Sequence, residues 1–174
     1  METPATPVTT SAIGIRYGLL LGVISVIFSF LQLTFIDDPQ TPLRWLSVVF
    51  LIAGIVLAHK QFKQHNQGFM SFGQGLAIGT ILSAVSGVIS GLFTYVYFTF
   101  IDPSYMTRVM EMTRSRMEDQ GLTDAQVDNA MAMTQKFATG PISMVFAMLG
   151  ALLVGFLISL VVSAVTKNPR PEFE

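Results

Sequence analysis

The chain has no cysteine. That excludes a disulfide framework, a thiolate metal site and a cysteine nucleophile. Charge is also scarce: 12% of the 174 residues are Asp, Glu, Lys or Arg, and the formal net charge is −1. A balance so near zero offers no bulk attraction for nucleic acid. The scarcity is uneven. No Asp, Glu, Lys or His is expected within the central span of any of the long apolar runs that divide the sequence, and Arg16 sits one turn from the start of the first. Proton relays, ion-coupled transport and intramembrane proteolysis need titratable or ligating groups at depth. The reading is therefore non-enzymatic, with no catalytic, cofactor-binding or metal residues. His59 and His65, six apart beside Lys60 and Lys63, make a poor metal pair and are expected to face solvent and headgroups.

What is present is hydrophobic: 51% of residues are apolar. Four runs stand out, residues 13–36, 43–58, 72–101 and 141–165. About 20 helical residues cross a ~30 Å hydrocarbon core. The first and fourth fit with some tilt, and the third is long enough to tilt strongly or protrude. The second is short, and Arg44 at one end with His59, Lys60 and Lys63 at the other would snorkel to the headgroups. The first run is too long for a signal peptide and lacks a basic flank, so it is expected to stay as a span. The Thr/Pro-rich leader, residues 1–12, and the tail, residues 167–174, read as disordered ends.

One stretch is written twice. Residues 13–37 (IGIRYGLLLGVISVIFSFLQLTFID) and 78–102 (IGTILSAVSGVISGLFTYVYFTFID) align without a gap at an offset of 65, with 11 of 25 pairs identical. Both copies end on an Asp, Asp37 and Asp102. Weaker agreement follows, Ser47-x-Val49-Phe50-x-x-x-Gly54 against Ser143-x-Val145-Phe146-x-x-x-Gly150. The pattern predicts an all-α integral membrane protein with four transmembrane helices in two parallel-repeat hairpins, residues 13–62 and 68–166. The halves should be related by a rotation near the membrane normal.

Small residues recur every four positions: Gly14, Gly18 and Gly22 in the first helix; Ser71, Gly75, Gly79, Ser83, Gly87 and Gly91 in the third; Ala147, Ala151, Gly155, Ser159 and Ser163 in the fourth. Lipid tails are as apolar as leucine, so close backbone approach over small side chains must hold such helices together. Packing of the third helix on the first and fourth is expected. A homo-oligomer contact or a glycine-lined pore is the alternative.

The hairpins differ outside the bilayer. About six residues join the first pair of helices, whereas residues 102–140 join the second. Asp102-Pro103 predicts a helix start and Gly121 its stop. The expected charge pairs are Arg114 with Glu118, Ser115 with Asp119 and Arg108 with Glu111. Thr123-x-x-Gln126 predicts a capping box for a second helix. Met106, Val109, Met110 and Met117 mark one dry face, and Val127, Met131 and Phe137 mark another. These seven residues form the expected surface for a protein partner, since methionine adapts to irregular contacts. Methionine pairs such as Met110-x-Met112 and Met131-x-Met133 also suit copper(I), but a dry packing face explains them better. Tyr95, Tyr97, Phe98, Phe100 and Tyr105, with Trp45, predict an aromatic belt at this end. Basic residues are split five against five between the two sides. Eight carboxylates lie on the insert's side, and both termini are therefore placed in the cytoplasm.

The run Gly68-Phe69-Met70-Ser71-Phe72-Gly73-Gln74-Gly75, with Tyr17-Gly18, Ile101-Asp102-Pro103 and Met117-Glu118-Asp119-Gln120-Gly121, resembles a bacterial four-helix membrane family, the domain-of-unknown-function family 4199. The resemblance spans roughly residues 13–165. It implies an inner-membrane protein with four spans and a helical insert, and it supplies no activity, substrate or catalytic residue. Two functions remain open: a scaffold or accessory subunit that presents the insert, and a small oligomeric transporter or channel.

Overall fold

A computed structural model describes residues 8–36, 42–138 and 140–171. Six α-helices follow in order: α1 Thr10–Phe35, α2 Leu46–His65, α3 Phe72–Val96, α4 Tyr105–Asp119, α5 Asp124–Ala138 and α6 Gly140–Thr166. A 3-10 turn, Pro42–Trp45, leads into α2, and α3 widens into a π-turn over Tyr97–Ile101. Four segments are long and apolar enough to cross a membrane: Thr10–Phe35, Leu46–His65, Phe72–Ile101 and Met144–Thr166.

Two boundaries differ from expectation. Helix α1 starts at Thr10, because the Thr9 hydroxyl accepts from the Ala12 amide at 3.2 Å and caps it. Thr10, Ser11 and Ala12 are thus helical; residues 1–7 lie outside the described chain. Helix α2 runs to His65, which takes the short second span to 20 residues, or ~30 Å. Helix rather than loop therefore carries His59, Lys60 and Lys63. Asp37, the end of the first repeated segment, is outside the described residues.

The chain divides into two compact units, residues 1–90 with 150–174, and residues 91–149. In the first, small residues set the helix contacts. A methyl group added at Gly14 would meet Ile81, at Gly18 Val85 and at Gly22 Ile89, so α1 and α3 run parallel. Added at Gly75 it would meet Ser163, at Gly79 Ser159 and at Gly87 Ala151; at Gly155 it would meet Ser83. The pairing falls on α6 as it rises on α3, hence these helices are antiparallel. Close approach of this kind maximises dispersion where water contributes no driving force. Ala151 is itself exposed. A methyl group added at Gly54 would lie 3.4 Å from Leu21 of α1, and Phe28 meets Phe50 edge-on at 5.3 Å.

In the second unit Gly91 faces Met148. Helix α4 starts at Tyr105, behind Ser104, and not at proline. Asp102 therefore does not cap it from outside. Its carboxylate accepts from the Ser104 hydroxyl at 2.7 Å and from both terminal nitrogens of Arg108. At the other end Gly121 (φ +79°) donates to the Glu118 carbonyl and Leu122 to the Met117 carbonyl. This is a Schellman stop, which needs a left-handed residue that glycine adopts without strain. Gln126 reaches back to the Thr123 amide at 3.0 Å and starts α5.

Candidate functional site: a polar hub closing one end of the bundle

The family-like run Ser71–Gly75 opens α3 with a reciprocal capping box. The Ser71 amide donates to the Gln74 side chain at 2.8 Å, and the Gln74 amide to the Ser71 hydroxyl at 3.2 Å. Gln74 is thereby committed to its own helix end, and contact with a neighbouring helix is not its role. One residue on, Gly75 brings its carbonyl to the imidazole of His59, at 2.9 Å from Nε2. The other ring nitrogen, Nδ1, lies 2.8 Å from the Thr166 hydroxyl of α6. His59 is completely buried, which corrects the expectation of a solvated, headgroup-facing histidine.

The geometry constrains its protons. A carbonyl only accepts, so Nε2 carries a hydrogen. With a neutral ring the Thr166 hydroxyl donates to Nδ1. With a charged ring Nδ1 donates, and the hydroxyl turns to the Val162 carbonyl, 2.8 Å away. Both states are satisfied by rotation of one hydroxyl. Lys63 donates to the Thr166 carbonyl at 3.1 Å, adding a charged group to the same corner.

The tail belongs to this hub. Met70 and Asn168 exchange two backbone hydrogen bonds, each 2.8 Å, and the Asn168 side chain donates to the Gly68 carbonyl at 3.0 Å. Arg170 donates to Gln67 and lies over the Phe69 ring at 5.5 Å. Residues 167–171, read from sequence as part of a disordered tail, are therefore fastened to the loop between α2 and α3. Glu172, Phe173 and Glu174 lie outside the described residues. Gln67 (φ +56°) and Gly68 (φ +86°) turn the chain here, and Gly68 donates back to the Lys63 carbonyl at 2.7 Å.

From the hub a column of hydroxyls descends the α3–α6 seam: Thr166, Ser163, Ser159, Ser83 and Ser86. All four serines are buried. Ser159 donates to the Gly155 carbonyl, Ser83 to Gly79 and Ser86 to Ser83. The Ser163 hydroxyl is fully buried and has no hydrogen-bond partner among the described residues. Ser83, Ser159 and Ser163 are among the expected small packing residues, and their hydrogen bonding is not legible in the sequence, because serine in such a stripe is indistinguishable from glycine until the opposing helix is known.

The predicted partner face is placed differently from expectation. Val127 is fully buried, and Met106, Val109, Met110, Met117 and Met131 are half-buried. These apolar residues of α4 and α5 are thus partly or fully covered within the chain. Met133, outside the predicted stripe, is 63% exposed. The side chain of Phe137 lies outside the described residues. The exterior is charged: Arg114 bonds Glu118 at 3.0 Å within α4 and Asp128 of α5 at 3.1 Å, and both raise its pKa, the Glu118 hydrogen bond more. Arg108 pairs with Asp102 in place of Glu111 and, with help from Ser104, holds that carboxyl at about 2. The aromatic residues form a chain: Tyr97 sits near Phe93 and Phe98, and Phe98 stacks on Tyr105 at 5.0 Å. Tyr97 is buried, whereas Phe100 and Trp45 are exposed. Among the described residues no group of three His, Cys, Asp or Glu side chains could hold a metal ion.

Four apolar spans, with buried polar groups bonded within the bundle, define a multi-pass all-α membrane protein. The chain belongs to the family described as Protein of unknown function (DUF4199), which it matches over residues 16–168. The match includes the capping box, His59 and the Met70–Asn168 clasp. No curated protein and no solved structure matches the chain.

Proposed function

We propose that the protein is a non-enzymatic scaffold or accessory subunit of a bacterial inner membrane, built on a duplicated hairpin, with both termini cytoplasmic. Its insert, residues 102–140, is the part presented to a protein partner. The supporting observation is the self-contained α4–α5 unit. Its apolar stripe is covered in part, its helix junction is capped, and Arg114 ties the two helices across their charged exterior. A partner would read that exterior together with Met133, since the methionine face is already partly covered. A photoreactive residue at Met133 in native membranes should capture one recurring protein, whereas the same probe at Val161, exposed on a span, should capture lipid. Lipid alone at Met133, and again at Asp128, would refute the reading.

One observation favours a second reading, a small oligomeric transporter or channel. His59 with its two-state hydroxyl and the unpartnered Ser163 could pass a proton or coordinate a solute along the α3–α6 seam. Reconstituted vesicles would report this as a pH-dependent flux that His59→Leu abolishes. Tight vesicles with the parent protein would remove it.

A further inference from the structure

The loop between α2 and α3 turns its end back into the bundle. Gln67 and Gly68 take positive φ, and Met70 is fully buried in the core that also holds Ile55, Ala58, Ile78 and Val162. Its terminal methyl lies 3.1 Å from the point where a Cβ of Gly75 would stand, and the Ser163 hydroxyl lies 2.9 Å from the same point. Met70 therefore packs into the corner where Ser163 has no hydrogen-bond partner among the described residues and His59 reaches the Gly75 carbonyl. Besides its own burial, little holds it there. Two backbone bonds join it to Asn168, and the Asn168 side chain bonds Gly68. Arg170 adds its bond to Gln67 and its place over Phe69. Pro169 and Pro171 have no N–H, so this pairing cannot lengthen into a ladder. Proline also favours extended backbone in the residue before it, which suits Asn168 to a single bridge.

We infer that Met70 is a removable plug and residues 168–170 are the strap that seats it, so that the strap decides whether water reaches the corner of Ser163, Gly75 and His59. The inference is independent of whether the protein is a scaffold or a transporter. Three features suit a plug. Methionine is unbranched and flexible, so it leaves and returns by turning its own torsions. Gln67 (φ +56°) is a non-glycine residue in the left-handed region, a strain that lifting the loop relieves. A buried hydroxyl without a partner is costly, and water entering on opening would serve it. Each lowers the cost of an open state in which the helices stay packed.

The chain has no cysteine, so a single cysteine reports access without background. Full-length Ser163→Cys in detergent should react slowly with a small water-soluble methanethiosulfonate. Adding Asn168→Ala, which removes the bond to Gly68, should speed labelling about fivefold. Asn168→Pro also removes the backbone donor to Met70 and should speed it about 25-fold, a factor of about five for each hydrogen bond lost. Met70→Ala should accelerate it with the strap intact. Ser86→Cys, buried further down the same seam, should stay slow in every background. Should Asn168→Pro not fold, hydrogen exchange on the parent protein decides. The Met70 and Asn168 amides, each bonded to the other's carbonyl, should exchange together and at least about tenfold faster than the amides of α3 around Gly79. A Ser163→Cys rate indifferent to Asn168 and Met70, equal acceleration at Ser86→Cys, or exchange of the two clasp amides only in step with α3 would each overturn the assignment.

Discussion

Adding one methyl group at Gly79 tests the packing argument at its tightest point. The new Cβ would collide with the Oγ and Cβ of Ser159, and Ile55 stands 3.4 Å away on α2. Ser159 is fully buried and its hydroxyl is bonded to the Gly155 carbonyl, so it has nowhere to swing. Helix α3 or α6 must therefore move. Overpacking of this kind costs about 1–3 kcal/mol, and the upper end applies because two buried helices have to separate. Alanine returns ~1 kcal/mol through its better helix propensity. The net loss is ~2 kcal/mol, or about 4–8 °C in Tm for a chain of this size. Gly150 is the internal control. It is helical and nothing lies within 4 Å of its added Cβ, so Gly150→Ala should stabilise by up to ~1 kcal/mol. Ser159→Gly should rescue Gly79→Ala with a coupling of at least ~1 kcal/mol. Thermal unfolding in detergent, or steric trapping in bicelles, measures the parent, the three single variants and the double variant. If Gly79→Ala behaves like Gly150→Ala, or the double variant shows no coupling, the α3–α6 seam is not where the small residues act.

Three further outcomes are expected. His59→Leu strands the Gly75 carbonyl in a buried site and should destabilise by about 1–3 kcal/mol, seen as a lower Tm, while His65→Leu, whose ring bonds only the Gln61 carbonyl on an exposed surface, should not. Asp102 is held at about 2, below the usual carboxylate range; its folded pKa is depressed, so its contribution is present above pH ~4 and is lost as pH falls toward 2. NMR titration should find that carboxyl ionised at pH 3, and Arg108→Gln should return it to the ordinary range. Single cysteines fix the topology: Met133→Cys should react with an impermeant thiol reagent outside intact cells and Lys167→Cys should not, and the reverse pattern would invert the orientation.

The spans were readable because membrane helices declare themselves in a single window of apolar residues, and the insert was readable because caps are local. Gly121 and the Thr123/Gln126 pair act within six residues of each other. The Ser71–Gln74 box is equally local. His59 was not readable at all. The apolar run stops at Ala58, and what buries the imidazole is a hydroxyl 107 residues later. The clasp at Asn168 is of the same kind, since its side chain bonds a carbonyl 100 residues away. Likewise, nothing within α4 or α5 says which partner covers an amphipathic face. The stripe was located from its spacing, and Val127 within it is covered by the chain itself.

The hub also sets an order of events during biosynthesis. His59 and the Gly75 carbonyl enter the bilayer with α2 and α3, long before Val162, Ser163 and Thr166 have been translated. Until α6 arrives, the imidazole's Nδ1 must be served by water or a lipid headgroup at the membrane boundary, because hydrocarbon provides no partner. A chain with only its first three helices inserted would have to keep its most polar corner wet. Arrival of α6 supplies the Thr166 hydroxyl, and Asn168 can then pair with Met70 behind the last turn. Any substitution that slows α6 should prolong exposure of that corner to the quality-control proteases that survey unfinished membrane proteins, even if the finished bundle is no less stable.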